Sequence, residues 1–589
     1  MGMQITSDKV FDDIEHHFKI SAGPGAGKTH WLVQHIKNVL GKSKRLGKTR
    51  KIACITYTNV AVDTIVKRLG NATHHVEVST IHSFLYKHLI KPYAKFIAQE
   101  YDLNVSNIDG HDEHIVYFNI VKKWIENHSQ KSLFKHPNSE KQLLKIKYET
   151  IKQWLETIYY ELTDSNDIAL STDKNKNFFS NKIQPKHQIN RKCLDMLEKD
   201  LIEYKKIYWK KGILHHDDIL FFSYQIISKC PFVLDVLRAK FPYFFIDEFQ
   251  DSNPIQVEII KKISEKETII GVIGDQAQSI YGFQGADPKQ FSELELPEMR
   301  NYEMAQNRRS TDNIINTLNS VRSDLLQHPY RKVCGMKPVI FCGNSNDAYK
   351  EALKLSNNKK VVTLSRDNIT SNAMRREFGN GNLKDKLFSD LKNNDSSKDR
   401  RKFVIHYLKG VVFAKERKFK EAIKEIMVLY KSTIEDKEER KKRALNDLLC
   451  LLKKYDDYSN ASLMVFYELL KRELDNQISK FQKNSNAKSF YENHTFQELA
   501  LCVNIPEDSS DHRTIHKAKG DEFNNVLLVL KKEEDLAFIL KPDLEKEEQR
   551  IAYVAISRAQ ERLFISVPTL KESKKASLSK LFEIKEFET

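Results

Sequence analysis

Two short stretches hold residue types able to bind and cut a nucleotide. The first is Ser21-Ala22-Gly23-Pro24-Gly25-Ala26-Gly27-Lys28-Thr29, a phosphate-loop pattern with Ala22 in the first Gly position. In such a loop the glycines let backbone N–H groups turn inward around phosphates. Lys28 reaches the β/γ-phosphates, and the Thr29 hydroxyl binds Mg²⁺. The second is Phe244-Phe245-Ile246-Asp247-Glu248-Phe249-Gln250-Asp251. Beside a nucleotide a carboxylate pair divides its work: one acid holds Mg²⁺, while the other orients and deprotonates the attacking water. Together the two stretches specify an NTPase.

The elements around them follow from their composition. Tyr243 to Ile246 is an apolar run after Pro242 and reads as a strand buried on both faces. Its carboxylates then fall at the strand's end, where an open α/β sheet places ligands. His17-Phe18-Lys19-Ile20-Ser21 reads as a short strand feeding the phosphate loop, with a helix from Trp31 onward. Ile52-Ala53-Cys54-Ile55 and Val76-Glu77-Val78 are further strands, ending in Tyr57 and in Thr80, Ile81 and His82. Polar groups at such ends donate to nucleic-acid phosphates or simply cap helices. Thr268 to Gly274 is another buried strand, followed by Gln278, Tyr281 and Phe283. An amide at a strand end can sense a γ-phosphate; the two aromatics either stack on bases or fill core.

Residues 86 to 212 are polar with helical periodicity around Trp124, Trp154 and Trp209, too long for a loop, and read as an inserted helical domain. A second insertion over 370 to 500 opens with a polar loop, Asn393 to Lys398, and becomes helical and Lys-rich. Those lysines are a solvated face or a duplex-contacting one. The chain of 589 residues carries a formal charge of +16, which points to a polyanionic partner. Seven cysteines without CxxC spacing exclude the usual zinc or iron–sulfur frameworks and suit a reducing, cytoplasmic setting. No apolar run has the length of a membrane span.

The motifs occur in a known order: AGPGAGKT, ITYTNVAV, STIHSF, FFIDEFQDSNPIQ, GDQAQSIYGFQGAD, QNRRSTDNI, RTIHKAKGDEF and EEQRIAYVAISRAQERL. From Ala22 to Leu563 the chain resembles superfamily 1 helicases of the Rep/UvrD/PcrA type. The resemblance implies two RecA-like P-loop domains with parallel sheets sandwiching ATP, each carrying a mainly helical insertion. The expected division is 1–85 and 213–300 for the first core, 86–212 for its insertion, 301–369 and 501–589 for the second core, and 370–500 for the other insertion.

By position, the resemblance makes Lys28 the phosphate ligand, Thr29 and Asp247 the Mg²⁺ ligands, Glu248 the general base and Gln278 the γ-phosphate sensor. Arg309 and Arg558 become arginine fingers, and Glu522 holds the ribose. Thr80, His82, Thr514 and His516 lie near DNA phosphates, and Tyr57 and Phe283 bracket successive bases. Three positions depart from the pattern: Arg308 stands where a Tyr stacks on adenine, Gln284 replaces an Arg, and Gln4 lacks the usual adenine-reading surroundings. The expected activity is an ATP-dependent DNA helicase moving 3′ to 5′ on single-stranded and tailed duplex DNA. The alternative is a DNA-end-sensing ATPase that regulates a partner nuclease. The reduced form is similar to the helicase subunit of the Gabija defence system, whose partner is such a nuclease. With about thirty residues after Arg558, no appended nuclease domain is expected.

Overall fold

A computed structural model describes residues 2–136, 138–173, 187–377, 384, 386–430, 433–475, 478–505 and 510–587. The chain divides into two compact units, Met1–Gln306 and Asn307–Thr589.

The first unit is built on a seven-stranded sheet. Its strands are β1 (Met3–Gln4), β2 (Phe18–Ala22), β3 (Ile52–Thr56), β4 (Val76–Thr80), β5 (Tyr243–Ile246), β6 (Ile269–Gly274) and β7 (Arg300–Met304). They lie in the order β1-β7-β2-β6-β5-β3-β4, and every pairing is parallel. Strand β5 shows why the apolar runs are unbroken. Phe244 and Ile246 enter one core cluster while Tyr243 and Phe245 enter the other, so each face of the sheet is covered. Strand β3 divides in the same way, with Ala53 and Ile55 on one side and Ile52 and Cys54 on the other. The parallel direction brings the C-terminal ends of β2, β3, β4, β5 and β6 to one edge of the sheet, where the candidate residues lie.

The sequence reading begins the second core domain at residue 301. Strand β7 corrects that boundary: Arg300–Met304 lies between β1 and β2 in the first sheet, with Tyr302 opposite both Met3 and Ile20. The excursion before β5 is mostly helical but also contains an antiparallel hairpin, Tyr159–Leu162 with Ile168–Ser171, which its polar composition conceals. Trp124, Trp154 and Trp209 belong to the same apolar cluster as Ala53 and Phe244, so this segment shares its core with one face of the sheet.

The second unit has a six-stranded parallel sheet made of β8 (Val339–Cys342), β9 (Val362–Ser365), β10 (His512–Thr514), β11 (Phe523–Val529), β12 (Ala559–Val567) and β13 (Glu583–Glu586). Their order is β10-β9-β11-β12-β8-β13. Between β9 and β10 a helical segment forms its own core around Val404, Tyr407, Leu408, Phe466 and Leu470. The polar loop expected at Asn393 to Lys398 is shorter, the three residues 395–397. Helix Leu387–Asn394 runs into it, Ser397 caps the next helix by accepting from the Arg400 N–H, and Asp395 is fully buried against Arg400 Nε at 2.8 Å. Paired charge and capping explain Asp395 and Ser397, while Asn393, Asn394, Ser396 and Lys398 are exposed to solvent.

Candidate nucleotide site and DNA-facing residues

The phosphate loop leaves β2 at Ala22 and turns through Gly25 and Gly27, at φ 72° and 84°. Gly27 precedes the helix Lys28–Lys42 in the left-handed region. A Cβ there would lie 2.8 Å from that of Ser7, so both conformation and space require glycine. The Gly23 N–H donates to the Met304 carbonyl and that of Ala26 to the Gly23 carbonyl. Lys28 and Thr29 open the helix, whose N-terminus adds positive potential.

Across from the loop, β5 delivers the two acids. The Asp247 N–H is held by the Ile55 carbonyl at 2.8 Å, and its carboxylate accepts from Thr29 Oγ1 at 3.4 Å. Glu248 pairs with Lys28 Nζ at 3.3 Å. Burial, and then repulsion from Glu248, push the Asp247 carboxyl up to about 6. Glu248 has φ 55° and ψ 39°, a left-handed backbone on a branched-off acidic side chain rather than a glycine. Such a conformation costs on the order of 1–3 kcal/mol and persists only where its surroundings enforce it. At the end of β6, Gln278 Nε2 donates to Asp275 Oδ2 at 2.6 Å.

In the second unit the structure gathers Arg309, Glu522 and Arg558. Arg309 Nη2 pairs with Glu522, while its Nη1 donates to the Ser557 carbonyl at 2.8 Å. Gln560 Nε2 donates to the other Glu522 oxygen at 3.0 Å. Burial works to raise the Glu522 carboxyl, but Arg309 outweighs it and holds it low. Arg558 is buried and donates from Nη2 to Ser557 Oγ at 2.8 Å. Arg308 lies over the Tyr330 ring, 4.1 Å from its centroid, an aromatic partner that no motif signals. Gln4, in the first unit, is engaged by Glu303 at 2.6 Å.

The aromatics near β6 divide. Phe283 is 68% exposed. Tyr281 is 9% exposed and stacks on Tyr57 at 4.6 Å and 22°. Its ring supports Tyr57, which donates from its hydroxyl to Gln284 Oε1. The shorter Gln284 thus anchors an aromatic where the motif pattern has a cation. Thr80 caps the helix Ile81–Leu85 and donates to Ser83 Oγ at 3.0 Å. The His82 ring lies 6.2 and 5.8 Å from those of His111 and His216. Burial, then the other imidazoles, lower it to about 4, leaving it neutral near pH 7. Thr514 ends β10 and His516 begins the turn after it. Two residues that the motif reading passed over, Gln250 and Asp275, are buried between the acids and Gln278; both stand inside quoted motifs.

Sequence profiles match almost the whole chain. The UvrD/REP helicase N-terminal domain matches residues 5–297 and the UvrD-like helicase C-terminal domain residues 344–569. The chain belongs to the UvrD/REP helicase family. This helicase is 24% identical to the ATP-dependent DNA helicase Rep of Buchnera aphidicola subsp. Schizaphis graminum (strain Sg), over 96% of its own chain and 93% of that protein. It is 24% identical to the ATP-dependent DNA helicase PcrA of Staphylococcus epidermidis, covering 94% and 81%. To the Gabija protein GajB of Bacillus cereus (strain HuB5-5) it is 26% identical, over 55% of this chain and half of that protein. Among the described residues no single helix is long and apolar enough to cross a membrane. A bent pair, His216–Lys229 and Phe232–Lys240, passes that test by length and composition only, and most of its apolar residues, though not the exposed Phe232 and Val236, belong to the core of the first unit.

Proposed function

We propose that this ATP-hydrolysing enzyme moves 3′ to 5′ along single-stranded DNA in the cytoplasm and unwinds tailed duplex. The observation that carries the reading is the run from Gln278 to Phe283. It leaves the same strand end that faces the two acids and finishes in an aromatic ring open to solvent. A shift at the γ-phosphate is thereby linked to a surface suited to stacking on a base.

In this reading the ATP phosphates occupy the loop of Ala22 to Gly27, and Lys28 exchanges Glu248 for phosphate oxygen. Glu248, freed of that pair, accepts a proton from the attacking water. Oxygen bonds to the γ-phosphorus as the bond to the β-phosphate oxygen breaks. Arg309 and Arg558 meet the negative charge that develops during transfer, while Glu522 engages the ribose and Arg308 the base. The buried Asp247 carboxylate and the Thr29 hydroxyl are hard oxygen donors 3.4 Å apart, a set that suits Mg²⁺. The ion would neutralise phosphate charge there. Tyr57, Phe283, Thr80, His82, Thr514 and His516 are the proposed DNA-facing groups, with Tyr281 as the support of Tyr57.

Lys28→Ala tests the assignment: ATP turnover and translocation fall to background while single-strand binding stays within about threefold, because Lys28 compensates phosphate of the nucleotide rather than of DNA. Substantial turnover in the purified variant contradicts the site. The similarity to GajB favours one other reading, an ATPase that senses DNA ends and regulates a partner nuclease. DNA-stimulated hydrolysis without movement along the strand would favour it.

A further inference from the structure

Gln250 is fully buried, carries no role in the scheme above, and touches both halves of the catalytic edge. Its Nε2 donates to Glu248 Oε2 at 2.6 Å. Its Oε1 accepts the Asp275 backbone N–H at 3.0 Å. Asp275 in turn accepts from Gln278 Nε2 at 2.6 Å through Oδ2, and from the Ala277 N–H at 3.2 Å through Oδ1. One side-chain amide therefore joins the acid at the end of β5 to the turn that follows β6.

Two backbone features serve this contact. The left-handed Glu248 reverses the chain into the short turn Phe249–Asp251, which brings Gln250 back against its neighbour two residues earlier. At the end of β6 stands Gly274, where a Cβ would lie 2.7 Å from Gln250 Oε1. The close approach of the amide leaves no room for a side chain there. An amide suits the position because its NH2 donates while its oxygen accepts: Nε2 serves Glu248 and, at 3.5 Å, Asp251 Oδ2, and Oε1 takes a backbone N–H. Neither a carboxylate nor an apolar chain satisfies both.

We propose that Gln250 is a positioning residue. It fixes the Glu248 carboxylate for proton abstraction and ties it to the Asp275–Gln278 turn, so that the attacking-water side and the γ-phosphate side of the site move together. The inference rests on the reading of Glu248 as general base. Released from Gln250, the carboxylate keeps its chemistry but loses its fixed direction, and misplacement of a catalytic group by about 1 Å can cost on the order of a hundredfold in rate.

The test compares Gln250→Met, Gln250→Glu and Glu248→Gln in steady-state ATP hydrolysis at saturating single-stranded DNA, with thermal melting of each. Met removes the hydrogen bonds to Glu248, to Asp275 and, at 3.5 Å, to Asp251 Oδ2, at similar volume. Glu retains an acceptor for the Asp275 N–H but sets a second carboxyl against Glu248, so that the two repel or share one proton. Both Gln250 variants should lower kcat about 10- to 100-fold with KM for ATP within about threefold, at a melting temperature that still leaves the protein folded at assay temperature. If Gln250→Met, folded at assay temperature, keeps the wild-type kcat, donation to Glu248 is not what matters and the proposal is overturned. Parallel changes in kcat and KM that track a loss of folded protein overturn it as well. Should Glu248→Gln itself turn over normally, the general-base reading fails instead, which separates the two ideas.

Discussion

At the position of Phe283 the structure separates two uses of one residue type. An aromatic that packs a core costs several kcal/mol to truncate, whereas Phe283 has 68% of its surface exposed. Phe283→Ala should therefore change stability by no more than about 0.5 kcal/mol. It should keep much of the DNA-stimulated ATPase and lose most unwinding, since in the proposed reading the ring meets bases rather than nucleotide. A large fall in melting temperature, with both activities lost together, contradicts this. Arg308 offers a second residue-scale test. A guanidinium already seated on Tyr330 at 4.1 Å presents a stacking face without the geometry of a phenol ring. Arg308→Tyr should sharpen discrimination between ATP and GTP, read as the ratio of their kcat/KM values. Rejection of GTP by orders of magnitude in the unaltered enzyme would remove the premise. Local motifs made Lys28, Thr29, Asp247 and Glu248 legible because strand, turn and side chain follow one another within a few residues. Tyr281 was ambiguous for the opposite reason: only Tyr57, far away in sequence, decides that its ring is covered.

Among the elements, the helix His216–Lys229 is pinned to the inserted segment by buried charge. Lys205 Nζ lies 2.7 Å from Asp218 Oδ1, Tyr160 donates to the same oxygen at 2.6 Å, and the His215 N–H donates to Oδ2 at 2.8 Å. Burial alone would raise the Asp218 carboxyl; Lys205 and then His215 outweigh it and hold it well below its ordinary value of 3.8. The stabilisation is thus fully present above pH 3.8 and is lost as pH falls below that value. Lys205→Met leaves the carboxylate buried without its cation and should cost about 3–5 kcal/mol by urea unfolding at pH 7. The difference from the unaltered protein should narrow as pH falls towards 4, where protonation relieves the unpaired charge. An equal deficit at both pH values contradicts the assignment. None of this was readable from sequence, since Lys205, Tyr160 and Asp218 form no motif and meet only through packing. The same limit hid the hairpin at 159–171 and the buried Asp395. Both look like polar connections until their partners, Asp218 for Tyr160 and Arg400 for Asp395, are placed. Strands such as β5 and β6 were legible because burial on two faces writes itself as continuous apolar runs; β1, β7 and β13 have no such run and were not.

For the whole molecule, charge and fold point the same way. A formal charge of +16 favours a polyanion, and two parallel sheets each bring polar motif residues to their strand ends. The central claim is that hydrolysis drives directed movement on DNA. Strand displacement on duplexes carrying either a 3′ or a 5′ single-stranded tail, with ATP hydrolysis followed in the same reactions, tests it most directly. The account predicts displacement of the 3′-tailed duplex in the presence of ATP, little displacement of the 5′-tailed one, and loss of both displacement and hydrolysis in Lys28→Ala. Vigorous DNA-stimulated hydrolysis with neither duplex displaced would contradict it.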